Sequence, residues 1–211
     1  NMITVDIGGT SADISTIPDG QIKIMNPRDS YVSGHPILIP MIDLVTIGAG
    51  GGSIAYVDSA GGFHVGPRSA GADPGPACYG RGGEEPTVTD AQVVLGRLDA
   101  DKLLGGDLLL DPELARRAIE RKIAKSLNLS TIDAALGIIK VINSNMALAI
   151  RSNSVARGID PREYSLMPFG GAGPLHGVAL AESVSAKNII VPIAPGITAA
   201  MGLLQDRKSV V

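Results

Sequence analysis

The sequence has one cysteine, no tryptophan, two phenylalanines and four tyrosines among its 211 residues. With Cys78 alone, no internal disulfide can form, which favours a reducing compartment, and the expected location is the cytoplasm. We interpret Cys78 as a packing residue. Few aromatic rings are present to stack on nucleic-acid bases, and a net charge of -3 provides no basic surface for phosphates. Nucleic acid is therefore not an expected partner.

The sequence also lacks long apolar runs. No uninterrupted stretch approaches the length that a membrane span needs, and the first residues do not combine a cationic segment with an apolar core and a cleavage site. We therefore expect neither a membrane segment nor secretion. A hydrophobic content of 45% is typical of a soluble globular chain, and the length predicts one domain, residues 1–211.

What the sequence has in excess is glycine, with 27 residues, which indicates many tight turns or close approaches of backbone to a ligand. Residues 2–7, 12–17 and 21–25 read as a three-stranded meander, with Asp19-Gly20 as the second turn. Residues 27–83 read as a loop-rich insertion that contains a hairpin at 53–65. Helical periodicity follows at 89–98, at 112–127 and from Ser130 to about Gly158. Strands at 164–169 and 188–191 then alternate with helices at 174–184 and 195–204, so the pattern is α/β.

A first candidate site lies between the first two strands, where the sequence reads DIGGTSAD. Glycines allow a phosphate to approach the backbone, amide groups and hydroxyls can donate to its oxygens, and the carboxylates can hold Mg²⁺. An ordinary Gly-Gly hairpin turn is the alternative, but the flanking Asp and Thr favour phosphate. The candidate residues are Asp6, Gly8, Gly9, Thr10, Ser11 and Asp13, with Asp6 and Asp13 as the metal ligands.

A second candidate site is the glycine-rich turn of residues 169–176, which leads from a strand into a helix. Such a turn can accept a nucleoside, or a phosphate at the helix N-terminus. It is not a dinucleotide fingerprint, because His176 occupies the position of the third glycine. We interpret His176 as a structural or nucleoside-contacting residue rather than a catalytic one. The candidate binding residues are Gly170, Gly171, Ala172 and Gly173.

A third region runs from 34 to 53 and contains His35, Asp43 and the glycine run 48–52. His35 and Asp43 can form a general-base pair or contribute to a metal site, and stabilisation of the loop is the alternative. The segment 27–83 is also rich in Ile and Leu, beyond what a solvated loop needs. We expect it either to face a partner or to complete the domain's own core.

Five motifs together resemble one family, that of hydantoinase A, 5-oxoprolinase and the acetone carboxylase subunits. The resemblance extends from Thr4 to about Leu204. It is carried by residues 6–13 (DIGGTSAD), 46–54 (TIGAGGGSI), 65–80 (VGPRSAGADPGPACYG), 86–91 (PTVTDA) and 169–176 (FGGAGPLH).

The resemblance implies an actin-like ATPase domain of the ribonuclease H type, with a mixed sheet flanked by helices. In this family two related halves close over ATP, and this chain resembles the second half. Residues 6–13 are then the second phosphate-binding turn and residues 170–173 the adenosine-binding turn. The expected partners are an upstream actin-like lobe with the first phosphate motif and a hydantoinase B-type subunit or domain. We expect the chain alone to be inactive.

The activity that the resemblance implies is opening of a small cyclic amide or imide, with ATP and Mg²⁺ used to phosphorylate the amide oxygen. Asp6, His35 and Asp43 match positions that we expect to be catalytic. Two alternatives remain at this point. One is a subunit of an ATP-dependent ketone carboxylase, and the other is a scaffold domain that keeps the fold without catalysis.

Overall fold

The computed structural model describes residues 1–29, 31–32, 35–101 and 108–205. Strands and helices are numbered here in chain order. The strands are β1 Met2–Ile7, β2 Ala12–Ile17, β3 Ile24–Met25, β4 Tyr31–Val32, β5 His35–Pro36, β6 Met41–Ile42, β7 Leu44–Ile47, β8 Ser53–Val57, β9 Phe63–Ser69, β10 Ser165–Phe169 and β11 Asn188–Ile189. The helices are α1 Val88–Val94, α2 Pro112–Ile119, α3 Lys125–Leu127, α4 Thr131–Val155, α5 Gly173–Val184 and α6 Thr198–Gln205.

The main sheet has five strands in the order β11-β10-β1-β2-β7. The central strand, β1, runs parallel to β10 and antiparallel to β2. Helices cover this sheet, so the predicted class, a mixed α/β sheet flanked by helices, is confirmed. Because β1 and β10 are parallel neighbours, their carboxyl ends lie side by side, with Asp6 opposite Phe169.

Residue alternation explains which face of the sheet is buried. In β1 the side chains of Ile3, Val5 and Ile7 are fully buried, whereas Thr4 and Asp6 on the other face are partly exposed. This period of two is typical of a strand with one face against a core. Helices α4 and α5 supply that core: α4 contacts β2, β7 and α5, and α5 contacts β10 and β1.

The long helix α4 was predicted from the spacing of its apolar residues, and this spacing marks its buried face. Its core residues recur every four positions, as Ile138, Ile142, Met146 and Ile150, and all four are buried. By length and composition alone α4 could cross a membrane. Its contacts with α1, α5 and the sheet are those of a core helix. The predicted helix 112–127 is also present, because α2 continues through a π-helical turn, Glu120–Ala124, into α3.

The predicted three-stranded meander is wrong in its third strand. β2 ends at Ile17, and Pro18 opens a short 3-10 turn, Pro18–Gly20, instead of a two-residue hairpin. Strand β3 then pairs with β6 in a separate ladder. The place beside β2 is taken by β7, whose Thr46 lies opposite Asp13.

The segment 27–83, predicted as a loop-rich insertion, therefore contributes one strand, β7, to the main sheet. It also contains the predicted hairpin, formed by β8 and β9. A shorter ladder joins β4 to β5. The remainder consists largely of glycine- and proline-rich turns, including the run from Gly48 to Gly52.

Candidate functional site

The first glycine turn connects β1 to β2 at the carboxyl end of the central strand. It is closed by a hydrogen bond from the Gly8 amide to the Ser11 carbonyl at 3.1 Å. The Gly9 and Thr10 amides are exposed and donate no hydrogen bond within the described residues. Adjacent free amides of this kind suit the oxygens of a phosphate.

The second glycine turn follows β10 and begins α5. Gly170 has a φ of 83°, and a Cβ at that position would overlap the Asp6 carboxylate, so glycine is required there. The Ala172 amide donates to the Ile7 carbonyl at 2.9 Å, which ties this turn to the end of β1. No side chain caps the N-terminus of α5, so its positive end is available to an anion.

A third glycine loop, Gly48 to Gly52, holds the first turn in place. The Gly51 amide donates to Gly8 O at 3.0 Å, and the Gly52 amide donates to Gly9 O at 2.6 Å. A Cβ on Gly50 would lie 2.8 Å from the backbone of Gly8 and Gly9. The sequence alone identifies this glycine run but does not indicate its structural role. Its position makes it the support of the first turn.

The first and second turns open onto one cavity of about 200 Å³. Its walls come from both turns, from α1 and α5, and from a short 3-10 turn, Ala77–Tyr79. The lining is mostly apolar, with a few polar groups from α1 and α5. The lining residues are Gly8, Gly9, Gly51, Tyr79, Val88, Thr89, Gln92, Leu98, Leu108, Gly171, Ala172, Leu175 and His176.

Two carboxylates stand beside these turns. Asp6 and Asp13 are opposite each other in the β1–β2 ladder, and Thr46 Oγ1 donates to Asp13 Oδ1 at 2.5 Å. Burial, and then the negative charge of Asp13, raise the pKa of Asp6. The donor set therefore fits a divalent cation, because a positive charge would relieve the repulsion between the two carboxylates. Among the described residues, no group of three or more His, Cys, Asp or Glu side chains is placed to bind one metal ion.

His35 and Asp43 lie outside the cavity and are not hydrogen-bonded to each other. The Asp43 carboxylate is buried and accepts from Arg157 Nε at 2.9 Å and from Arg157 Nη2. These bonds hold the pKa of Asp43 below its ordinary value. His35 is exposed on β5. The geometry gives Asp43 a structural partner, and a catalytic role for either residue stays a prediction.

One cavity wall depends on a buried carboxylate that sequence reasoning left unassigned. Asp90, near the start of α1, accepts hydrogen bonds from the amides of Ala77, Cys78 and Thr87 and from Thr87 Oγ1, at 2.8 to 3.2 Å. These bonds fix the 77–79 turn against α1 and so position the Tyr79 side chain. Burial raises the pKa of the Cys78 thiol, in agreement with a packing role. In the sequence, the PTVTDA motif of residues 86–91 was the signal that could have pointed to Asp90.

The other wall contains His176, which is 1% exposed. Its Nδ1 lies 2.7 Å from Asn143 Oδ1 on α4. Burial, and then the charge of Arg97, lower the pKa of His176 to about 4, so the ring is neutral at physiological pH. The interpretation of His176 as a structural or nucleoside-contacting residue agrees with this position.

The fold and the turns define an α/β domain in which two glycine turns meet at one cavity at the carboxyl end of the central strand. The family model for hydantoinase/oxoprolinase proteins matches residues 1–206. The chain belongs to the hydantoinase/oxoprolinase family.

Individual relatives agree with this assignment. The chain is 47% identical over 207 residues to caprolactamase subunit alpha of Pseudomonas jessenii, covering 98% of this chain and 30% of that protein. It is 38% identical over 212 residues to 5-oxoprolinase of Saccharomyces cerevisiae, covering 96% of this chain and 16% of the relative. A nucleotide-free structure of acetone carboxylase superposes with a TM-score of 0.88 at 34% identity, covering 96% of this chain and 28% of that one. The chain thus spans less than a third of the length of these relatives.

Proposed function

We propose that this chain is the nucleotide-binding part of an ATP-dependent enzyme that opens a cyclic amide. The observation that carries the proposal is the meeting of the two glycine turns on one cavity at the carboxyl end of β1. Free amides at Gly9 and Thr10 suit phosphate oxygens, while the apolar cavity beside Gly171 suits the nucleoside. A cavity of about 200 Å³ is smaller than the roughly 300–1,000 Å³ of sites for drug-sized ligands. It therefore fits the base, with the phosphates lying over the first turn.

Activation by phosphate explains why such a site would serve amide chemistry. The amide oxygen attacks the γ-phosphorus and ADP leaves, which turns a poor electrophile into one with a good leaving group. One water then opens the ring to an amine and an acyl phosphate, and a second water releases phosphate. Amides at Gly9 and Thr10 and the N-terminus of α5 would stabilise charge on the phosphoryl oxygens. Asp6 and Asp13 would hold Mg²⁺, which would neutralise phosphate charge.

The 47% identity to caprolactamase subunit alpha supports the hydrolase. Acetophenone carboxylase gamma subunit is 41% identical and yeast 5-oxoprolinase 38%, so the ketone carboxylase is kept as the second candidate function. The scaffold alternative is disfavoured by the free amides and the open cavity, because a domain that binds no nucleotide has no need of either.

Partner contacts would involve the apolar segment of 37–42. Ile37, Leu38, Ile39 and Ile42 are between 38% and 65% exposed. This exposure agrees with the expectation of an interface and contradicts the alternative that these side chains complete the domain core. We propose that the segment faces an upstream actin-like lobe or a hydantoinase B-type subunit, in a cytoplasmic assembly.

The proposal is tested with Asp6→Asn in the full-length protein. ATP hydrolysis is measured with a lactam, with a hydantoin, with 5-oxoproline, and with a ketone plus bicarbonate. We expect one of the cyclic amides to stimulate hydrolysis in the wild type, and the variant to lose the Mg²⁺-dependent rate while its melting temperature does not fall. Asp19→Asn, at an exposed turn, is the matched control and should behave as wild type. Stimulation by the ketone pair alone would favour the carboxylase, and absence of ATP binding would favour the scaffold.

A further inference from the structure

Gln92 is a buried side chain whose amide makes no hydrogen bond to any residue that the structure describes. It lies on α1, is 1% exposed and lines the cavity. Neither Nε2 nor Oε1 of its amide has a hydrogen-bond partner within the described residues. A buried amide in this state destabilises the fold relative to an apolar residue of similar size. Its position against the cavity indicates that a ligand supplies the missing partners.

The ligand edge that satisfies an amide has a donor beside an acceptor. Adenine presents such a pair, an amino group next to a ring nitrogen, and a Gln amide can bind both at once. The rest of the cavity suits a flat base, since Leu98, Leu108 and Leu175 provide apolar walls and Tyr79 a ring. We propose that Gln92 is the specificity-determining residue that binds the adenine edge of the nucleotide. This assignment rests on the proposed function.

His176 adds a second constraint on the base. With Asn143 Oδ1 as its acceptor, Nδ1 carries the proton, and Nε2 keeps a lone pair that makes no hydrogen bond within the described ranges. The cavity therefore offers one acceptor on His176 in addition to the donor and acceptor of Gln92. An exocyclic amino group on the base therefore finds two possible acceptors, Gln92 Oε1 and His176 Nε2, and the ring nitrogen beside it finds the Gln92 donor.

The experiment compares full-length wild type with Gln92→Leu, using ATP, GTP and purine riboside triphosphate, which lacks the amino group. Dissociation constants are measured by calorimetry. A bidentate contact between an amide and a base corresponds to roughly 5- to 150-fold in affinity. We expect the variant to lose ATP affinity within that range and to bind ATP and purine riboside triphosphate almost equally. Wild type should prefer ATP over both other nucleotides. The exposed Gln21→Leu is the matched control and should keep that preference.

Thermal unfolding without ligand provides an independent readout. If the amide exists for a ligand, Gln92→Leu should be at least as stable as wild type while binding ATP less well. A less stable variant would mean that Gln92 has a structural partner, and the assignment would be overturned. An unchanged preference for ATP over purine riboside triphosphate would overturn it equally and leave the proposed function intact. Failure of the wild type to bind any of the three would instead refute the proposed function, and this assignment with it.

Discussion

Two glycines of the turns around the cavity should differ in how the same substitution affects stability. Gly171 has no atom within 4 Å of the position that a Cβ would take, and it lines the cavity. Because its φ is not in the left-handed region, Gly171→Ala should leave the ligand-free protein as stable as wild type. The lower entropy of the unfolded chain should stabilise the variant by about 0.4–1 kcal/mol. The new methyl then points into the open space where we place the nucleotide.

The size of the binding loss follows from the cost of overfilling a packed site. That cost is about 1–3 kcal/mol, which corresponds to roughly 5- to 150-fold in dissociation constant. Gly50→Ala is the contrasting variant. Its Cβ would lie 2.8 Å from backbone atoms of Gly8 and Gly9, so the third loop must separate from the first turn. We expect Gly50→Ala to lower both stability and ATP affinity.

The assay is calorimetric titration of ATP with Mg²⁺ into the full-length protein, together with urea unfolding of the ligand-free form. The reasoning requires Gly171→Ala to reduce affinity without reducing stability, and Gly50→Ala to reduce both. If Gly171→Ala bound ATP as tightly as wild type, the nucleotide would not occupy the space beside this turn. The placement of the base in the cavity would then be refuted.

Three further outcomes are expected. Asp43→Asn, which breaks the bidentate pair with Arg157, should cost about 1–3 kcal/mol in urea unfolding at neutral pH. Because its pKa is lowered in the fold, the contribution of Asp43 should be present above its ordinary value of 3.8 and lost as pH falls below it. The pKa of His176 is lowered to about 4, so wild-type stability should fall between pH 6.5 and 4, and His176→Gln should remove that part of the slope. Leu38 has a φ of 55° and is 65% exposed, so Leu38→Asn should raise melting temperature by relieving about 1–2 kcal/mol of backbone strain. It should also weaken partner assembly in size-exclusion chromatography, and unaltered assembly would count against an interface at 37–42.

Local patterns were sufficient for the elements that depend on neighbours in sequence. The long α4 could be predicted from apolar residues three and four positions apart, and the β8–β9 hairpin from its turn glycines. The first two glycine turns could be located because each follows an apolar strand. These features rest on periodicity and turn chemistry, which a single sequence contains.

Features that depend on distant partners were missed or misplaced. The strand that pairs with the far edge of β2 is β7, which lies some thirty residues downstream. The hydrogen bond from Thr46 to Asp13 illustrates this pairing. Asp43 is paired with Arg157, 114 residues away, so its location in a polar loop could not disclose an ion pair. Gln92 carried no signal at all, because a side chain is recognised as unsatisfied only when everything around it is in place.

The main-chain bonds among the glycine turns have a dynamic consequence. Gly51 and Gly52 donate to the first turn, and Ala172 donates to Ile7 at its base. These hydrogen bonds join three segments that are far apart in sequence into one rigid unit. Their amides should exchange with deuterated solvent in a single cooperative opening instead of three independent ones. A nucleotide would meet a surface whose shape is already set, so little loop entropy is lost on arrival. Any closure over the nucleotide would then move the three joined turns together as a rigid body.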